Sequence, residues 1–476
     1  MLKKFWAFCM VIFLLSTSAS NSQEKVDRTK PPKPGPESKV KFPSYFEKTL
    51  SNGLKVIVVE NHEQPIVYVS FVVKSGSTYD GNLPGLASVT AELLTKGTKT
   101  RTATQIAEEI DFVGGSLSAT ASWDATNVNV LVLKKYLGVG MDILQDVVLN
   151  PTFPDEELER IRTQRLASIK QSKAEAGYLA SVRFSKELFA GHPYGNESGG
   201  NEESIQKIKR DDIVKFYETH FIPNNSFIIF AGDITPSEAV SLVEKYFKGW
   251  KKGPSPHKKF PEVSDISQTR VVIVDKPGAV QSAIRIGHLG IDRKNKDYVK
   301  VYTLNTLLGG YFNSRINMNL RETHGYTYGA FSSFDTRLYP GPFVVSADVR
   351  NEVTDSSITE VLKELKRIIE EPVPEDELKM AKDYIVGSFP LQIETPAQVA
   401  ARIMTIEIYG LPKDFYDKFR EEVKKITPKD IQETARRYLH PDKLLIVVSG
   451  NSKQIKPVLG KFGPVVVYDA DGNKIE

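Results

Sequence analysis

The sequence predicts an α+β protein made of two tandem homologous domains, each a mixed β-sheet with helices packed on it. Two observations carry that class: strand-like and helix-like periodicities alternate along the chain, and the second half repeats the first in order. Trp123-Asp124-Ala125-Thr126 matches Phe334-Asp335-Thr336 at an offset of 211 residues, which also carries Gly114 onto Gly325. Pro154-Asp-Glu-Glu-Leu158 matches Pro374-Glu-Asp-Glu-Leu378 at an offset of 220. Ile208, Asp212, Pro223 and Gly232 match Ile426, Asp430, Pro441 and Gly450 at 218. Nearly constant offsets over roughly 120 residues mark an internal duplication.

The elements follow in chain order. Residues 1–20 join Lys3 and Lys4, an unbroken apolar run over 5–15 and the small-residue exit Ser18-Ala19-Ser20, the pattern of a secretory signal. The run is shorter than the roughly 20 residues a spanning helix needs, so an uncleaved anchor is the second reading. Residues 21–43, with Lys30-Pro-Pro-Lys-Pro-Gly-Pro, read as a Pro/Lys-rich tether. The N-terminal domain spans 44–250. Within it 55–59 and 66–73 read as strands, 85–96 and 104–113 as helices, and 116–133 as a hairpin. Next come helices over 154–173 and 204–220 with acidic first turns, and a strand over 226–231 closed by Gly232-Asp233. Lys251-Lys-Gly-Pro-Ser-Pro opens a linker over 251–268. The C-terminal domain, 269–465, repeats the pattern, and 466–476 is a tail.

Composition narrows the function classes. At 476 residues, 40% hydrophobic and 26% charged, the chain can bury more than one core. A formal charge of +4, two charges of which belong to Lys3 and Lys4, gives no electrostatic footprint for nucleic acid. Cys9 is the single cysteine and lies in the signal, which leaves the mature chain without thiol, disulfide or cysteine-bound metal.

An ordered set of motifs resembles the pitrilysin/insulinase family of zinc metallopeptidases. The set comprises Asn52-Gly-Leu-Lys-Val, Gly85-Leu-Ala, Lys96-Gly-Thr, Gly191-His-Pro-Tyr-Gly195, Pro223-Asn-Asn before a strand ending Gly232-Asp233, and the duplication itself. The resemblance covers about 45–463 and implies the family's two-domain fold. Active members carry H-x-x-E-H on a helix, two histidines for zinc and a glutamate that activates water. Here those positions hold Ser88, Ala91 and Glu92, and the position of the third ligand, a glutamate in a later helix, holds Leu166. All four are changed. Independently of the family, no two of the 7 histidines lie within a helical turn of each other. Glu92 reads as a surface carboxylate or ion-pair member, and His192 as support for a turn.

The second half contains GGYFNSRINMNLRETHGYTY, residues 309–328. This resembles the family segment in which an arginine and a tyrosine seven residues apart, here Arg321 and Tyr328, complete the active site of a partner subunit. The resemblance thus implies a zinc-less subunit of a two-subunit bacterial or mitochondrial-processing-peptidase-like enzyme. Arg321 and Tyr328 would polarise the scissile carbonyl in trans. Zinc would be held by a homologous partner in a heterodimer, with no cofactor in this chain, and peptides would be the substrates. Substrate backbone pairing, which the family performs at an exposed strand edge, falls on Ser116, Ser118, Ala119 and Thr120. The alternative is a non-enzymatic envelope protein that binds peptides or acts as a scaffold. The expected location is across the membrane, in the periplasm, with membrane contact only through an uncleaved signal.

Overall fold

The strands are short runs, rich in Val and Ile at the centre of each sheet. In the first half these are β1 (Phe46–Thr49), β2 (Lys55–Glu60), β3 (Ile66–Val73), β4 (Ser116–Ala121), β5 (Thr126–Leu133) and β6 (Ser226–Gly232). In the second they are β7 (Arg270–Asp275), β8 (Gln281–Leu289), β9 (Ala330–Phe334), β10 (Pro342–Arg350), β11 (Leu445–Gly450) and β12 (Val465–Tyr468). They form two six-stranded sheets ordered β1-β2-β6-β3-β5-β4 and β12-β7-β11-β8-β10-β9. β2 and β6 run parallel, as do β7 and β11, while β3-β5-β4 and β8-β10-β9 are antiparallel. Every residue of β6 and β11 is buried, as expected of central strands covered on both faces. The structure is a computed structural model and describes residues 40–256 and 259–476. The signal over 1–20, nearly all of the tether, and His257 and Lys258 of the linker lie outside the described residues.

Six helices matter for the site: α1 (Leu86–Leu94), α2 (Asp155–Ser172), α3 (Ala176–Leu188), α4 (Tyr298–Asn305), α5 (Pro396–Tyr409) and α6 (Phe415–Lys425). α2 begins with Asp155, Glu156 and Glu157, whose charges favour a helix N-terminus. α5 begins with a Thr395/Gln398 capping box and Pro396, and stops at Gly410 with φ +57°.

The two halves exchange helices. α3, from the first half, packs on β8 and β11 of the second sheet, and α5, from the second half, packs on β3 and β6 of the first. Leu179, Ala180, Phe184 and Leu188 share one apolar cluster with Val272, Val274, Leu445 and Val447. Arg285 of β8 donates to Ser181 Oγ and the Gly177 carbonyl. Polar contacts reinforce the exchange. Asp124 accepts from the Tyr194 hydroxyl at 2.8 Å and from the Leu338 N–H at 3.1 Å, and burial raises its pKa. Lys55 of β2 pairs with Glu407 of α5 at 2.7 Å. From Phe42 to Glu476 the chain is therefore one compact unit.

Three local expectations shift. Residues 204–220, expected as one helix, form two, Glu202–Lys207 and Arg210–His220. Ile208 turns extended between them, and the Asp212 carboxylate accepts the Lys209 N–H to start the second. The tail read at 466–476 contains most of β12, which pairs in parallel with β7 because Val465, Val466 and Val467 complete that edge. Phe42, at the end of the tether range, is buried with its ring 5.3 Å from that of Tyr416 on α6.

Candidate functional site

Helix α1 is built to hold one face open. Leu86, Ala87, Val89, Thr90, Ala91, Leu93 and Leu94 are buried, which leaves Ser88 and Glu92, four residues apart, on the accessible side. The buried Asp80 caps its start, accepting from Gly85 N–H at 2.7 Å and Ala87 N–H at 2.8 Å. Burial pushes the Asp80 carboxyl up to about 8. Gly85 has φ +92°, and a Cβ there would meet the Gly200 backbone at 2.7 Å, so a close crossing of two loops requires glycine.

A guanidinium occupies the open face. Arg165 of α2 donates from Nε and Nη2 to Glu92 Oε2, at 3.1 and 2.7 Å, and from Nη2 to Ser88 Oγ at 3.1 Å. Its Nη1 reaches the Gly199 carbonyl at 3.0 Å. Leu166, the next residue, packs on the core, and Ala91 is fully buried. The structure thus brings Ser88, Glu92 and the neighbour of Leu166 together, as a hydrogen-bonded cation cluster. Zinc does not fit this set: the single carboxylate is engaged by Arg165 and the other positions offer a hydroxyl, a methyl and an aliphatic side chain. Among the described residues, no three His, Cys, Asp or Glu side chains are grouped to hold a metal. A cleft of about 550 Å³ opens beside the cluster, bounded by Trp123, Tyr178, Glu197 and Gly200.

His192 serves the turn it was expected to serve. It is buried, its Nδ1 accepts the Tyr194 N–H at 3.1 Å, and burial pulls its pKa down to about 4. The ring is therefore neutral at physiological pH.

The second half presents the other pair. Arg321 lies on a π-helical turn, Met318–Thr323, a wide and uncommon form often found at functional sites. Its guanidinium stacks over the Phe312 ring at 4.5 Å, with Glu322 at 3.5 Å. Gly325, at φ +62°, ends the turn by donating to the Arg321 carbonyl. Tyr328 precedes β9 and is 94% exposed. Among the described residues neither side chain bonds to α1. Tyr328 is presented to solvent, and the Arg321 guanidinium is partly exposed.

The stretch nominated for backbone pairing is the edge strand β4, paired on one side only, with β5. Ser116, Ser118 and Thr120 face solvent, whereas Ala119 lies on the opposite face against the core. Sequence reasoning missed Arg165. Its one signal was a basic residue beside Leu166 on a helix that also had to serve the orphaned Glu92. Asn317, in the turn leading to Arg321, carried no sequence signal.

Comparisons with known proteins agree with this geometry. The profile described as insulinase, peptidase family M16, matches residues 55–201, and that described as the peptidase M16 inactive domain matches 207–385. The chain is 27% identical over 408 residues to "Non-peptidase homolog YmxG" of Helicobacter pylori, covering 84% of this chain and 93% of that protein. It is 24% identical over 407 residues to "Uncharacterized zinc protease YmxG" of Bacillus subtilis, covering 84% and 97%. Among solved structures, the peptidase M16 inactive domain from Pseudomonas fluorescens aligns with a TM-score of 0.81 at 27% identity, covering 85% of this chain and 98% of that one. A protease from Helicobacter pylori shares the fold, with a TM-score of 0.81 at 20% identity, covering 86% and 100%. With the metal positions replaced and the fold retained, the chain belongs to the insulinase family of peptidases, M16, as a catalytically incomplete member.

Proposed function

We propose that this chain is the zinc-less subunit of a two-subunit metalloendopeptidase that cleaves unstructured peptides, and that it contributes Arg321 and Tyr328 to the partner's site. The observation that carries the reading is the division of labour between halves. The metal position of the first half is filled by Arg165, while the second half leaves a partly exposed guanidinium and a fully exposed phenol without a carboxylate from another segment. A guanidinium and a hydroxyl aimed at a scissile carbonyl donate to its oxygen as charge develops there, and such donors act strongly where water is excluded. The homologous partner would carry the H-x-x-E-H helix and the zinc. The open edge of β4 supports recognition of an extended backbone, which tolerates many side chains. Export across the membrane to the periplasm belongs to the same proposal, on the strength of residues 1–20.

The test is isolation of the native protein under mild conditions, with identification of stoichiometric partners and assay on an unstructured fluorogenic peptide with and without chelator. A partner bearing H-x-x-E-H and chelator-sensitive cleavage is expected. The name of the Helicobacter pylori relative, "Non-peptidase homolog YmxG", favours a second reading, a peptide-binding or scaffold protein without catalysis. That reading predicts a solitary chain whose peptide affinity ignores Tyr328.

A further inference from the structure

Asn317 is fully buried and sits four residues before Arg321, in the turn Arg315–Asn317 that leads into the π-helical segment. Its side-chain amide spans two segments. Nδ2 donates to the Phe312 carbonyl at 2.6 Å, and Oδ1 accepts the Ala330 N–H at 3.0 Å. A carbonyl can only accept and an N–H can only donate, so the orientation of the amide is forced.

Each of those segments carries one half of the Arg–Tyr pair. The Phe312 ring lies 4.5 Å from the Arg321 guanidinium carbon. Among the described residues the ion-pair partner of Arg321 is Glu322, adjacent in sequence and 3.5 Å away, so the Phe312 ring is what holds the guanidinium from outside its own turn. Ala330 opens β9 two residues after Tyr328, whose 94% exposed side chain has no packing to hold it. The place of Tyr328 is therefore set by its backbone, and that backbone is tied to Asn317.

We propose that Asn317 is a positioning residue that sets the spacing of Arg321 and Tyr328, acting on Arg321 through the Phe312 ring and on Tyr328 through the start of β9. The inference rests on the function proposed above. A buried amide suits the task because losing either partner leaves an unsatisfied polar group, so both segments are held in one arrangement.

The experiment uses the purified complex and an unstructured fluorogenic peptide. Phe312→Ala lowers kcat by about fivefold with KM unchanged, as expected for loss of a partly exposed cation–π contact, and Phe312→Tyr restores it where Phe312→Leu does not. Asn317→Ala lowers kcat further; Phe312→Ala adds nothing to the loss caused by Arg321→Ala, and Asn317→Ala adds nothing to that of the Arg321→Ala/Tyr328→Phe double variant. Because Asn317→Ala can weaken folding, hydrogen exchange of the isolated chain supplies a second readout, with faster exchange expected both at 312–321 and at 328–331. A Phe312→Ala loss that multiplies with that of Arg321→Ala, an Asn317→Ala loss that multiplies with that of the Arg321→Ala/Tyr328→Phe double variant, equal activity of the Leu and Tyr variants at 312, or exchange unchanged in both segments would overturn the assignment. A silent Arg321→Ala rejects instead the function on which it rests.

Discussion

The two sheets share the order of five strands, β2-β6-β3-β5-β4 and β7-β11-β8-β10-β9, yet treat their hairpin edges differently. β4 ends the first sheet with its outer edge unbonded among the described residues from Ser116 to Ala121. The corresponding edge of the second sheet, β9, is closed. Asn305 of α4 donates to the Ser332 carbonyl at 3.0 Å, and Asn317 takes the Ala330 N–H. Gly309 approaches so closely that a Cβ would lie 2.4 Å from Ser332 N. An open edge invites an extended chain and a closed one refuses it. The two halves thus differ: the first keeps an unpaired strand edge and lacks metal ligands on α1, while the second bonds its edge and carries Arg321 and Tyr328.

The sharpest way to break the comparison is to ask whether the halves are separable. Phe184 of α3 is buried against the second sheet, and Phe184→Ala should cost about 3–5 kcal/mol. Because α3 and α5 are exchanged, calorimetry should record one transition moved to lower temperature. Two transitions, with only one moved, would mean that the halves fold independently.

Next in size is function. Arg321→Ala should reduce turnover of the complex by about 100-fold or more without dissociating it, and Tyr328→Phe should act in the same direction. Arg165→Met in the first half should leave turnover within about twofold of the unaltered complex. A reversed ranking would move the functional centre back to α1.

Acid sensitivity tests both halves at once. Burial holds His220 in the first half and His288 in the second down to about 4. Below the ordinary value of 6.5, the unfolded chain takes up protons that the native rings refuse. The stabilising contribution is therefore complete above pH 6.5 and lost as pH falls through 4, reaching about 3 kcal/mol per ring. Asp80, raised to about 8, works in the opposite sense, with its contribution complete below pH 3.8 and lost as pH rises through 8. His220→Gln should flatten the acid limb of a stability–pH curve measured by denaturant titration, and an unchanged limb would show that this ring titrates normally.

The smallest effect concerns the filled metal position. Glu92 and Arg165 are partly exposed, with side-chain accessibilities of 35% and 19%, so Glu92→Gln should cost about 1 kcal/mol or less. A double-mutant cycle with Arg165→Met should return most of that as coupling. No coupling would make the guanidinium a bystander.

Much of the fold was legible because its signals are local. Alternating Val and Ile mark strands, Pro154 and Pro374 begin matching helices, and repeated offsets disclose the duplication whatever the three-dimensional arrangement. The break at Ile208 was not legible, since either side reads as helix and the choice falls to a buried isoleucine. The site divides in the same way. Loss of the metal ligands is a matter of identity at Ser88, Ala91, Glu92 and Leu166, and was readable without coordinates.

What the sequence by itself determined is the duplicated α+β plan, the missing ligands and the nomination of Arg321 and Tyr328 by resemblance. Tertiary structure alone decided that Arg165 meets Glu92, that α3 and α5 change places, that β9 is sealed and that Asn317 ties Phe312 to Ala330. Arg165 and Glu92 lie 73 residues apart in the chain, and Phe184 and Leu445 belong to different halves. Such pairings depend on which surfaces meet once both sheets have formed, and local periodicity and spacing do not specify partners so far apart in the chain.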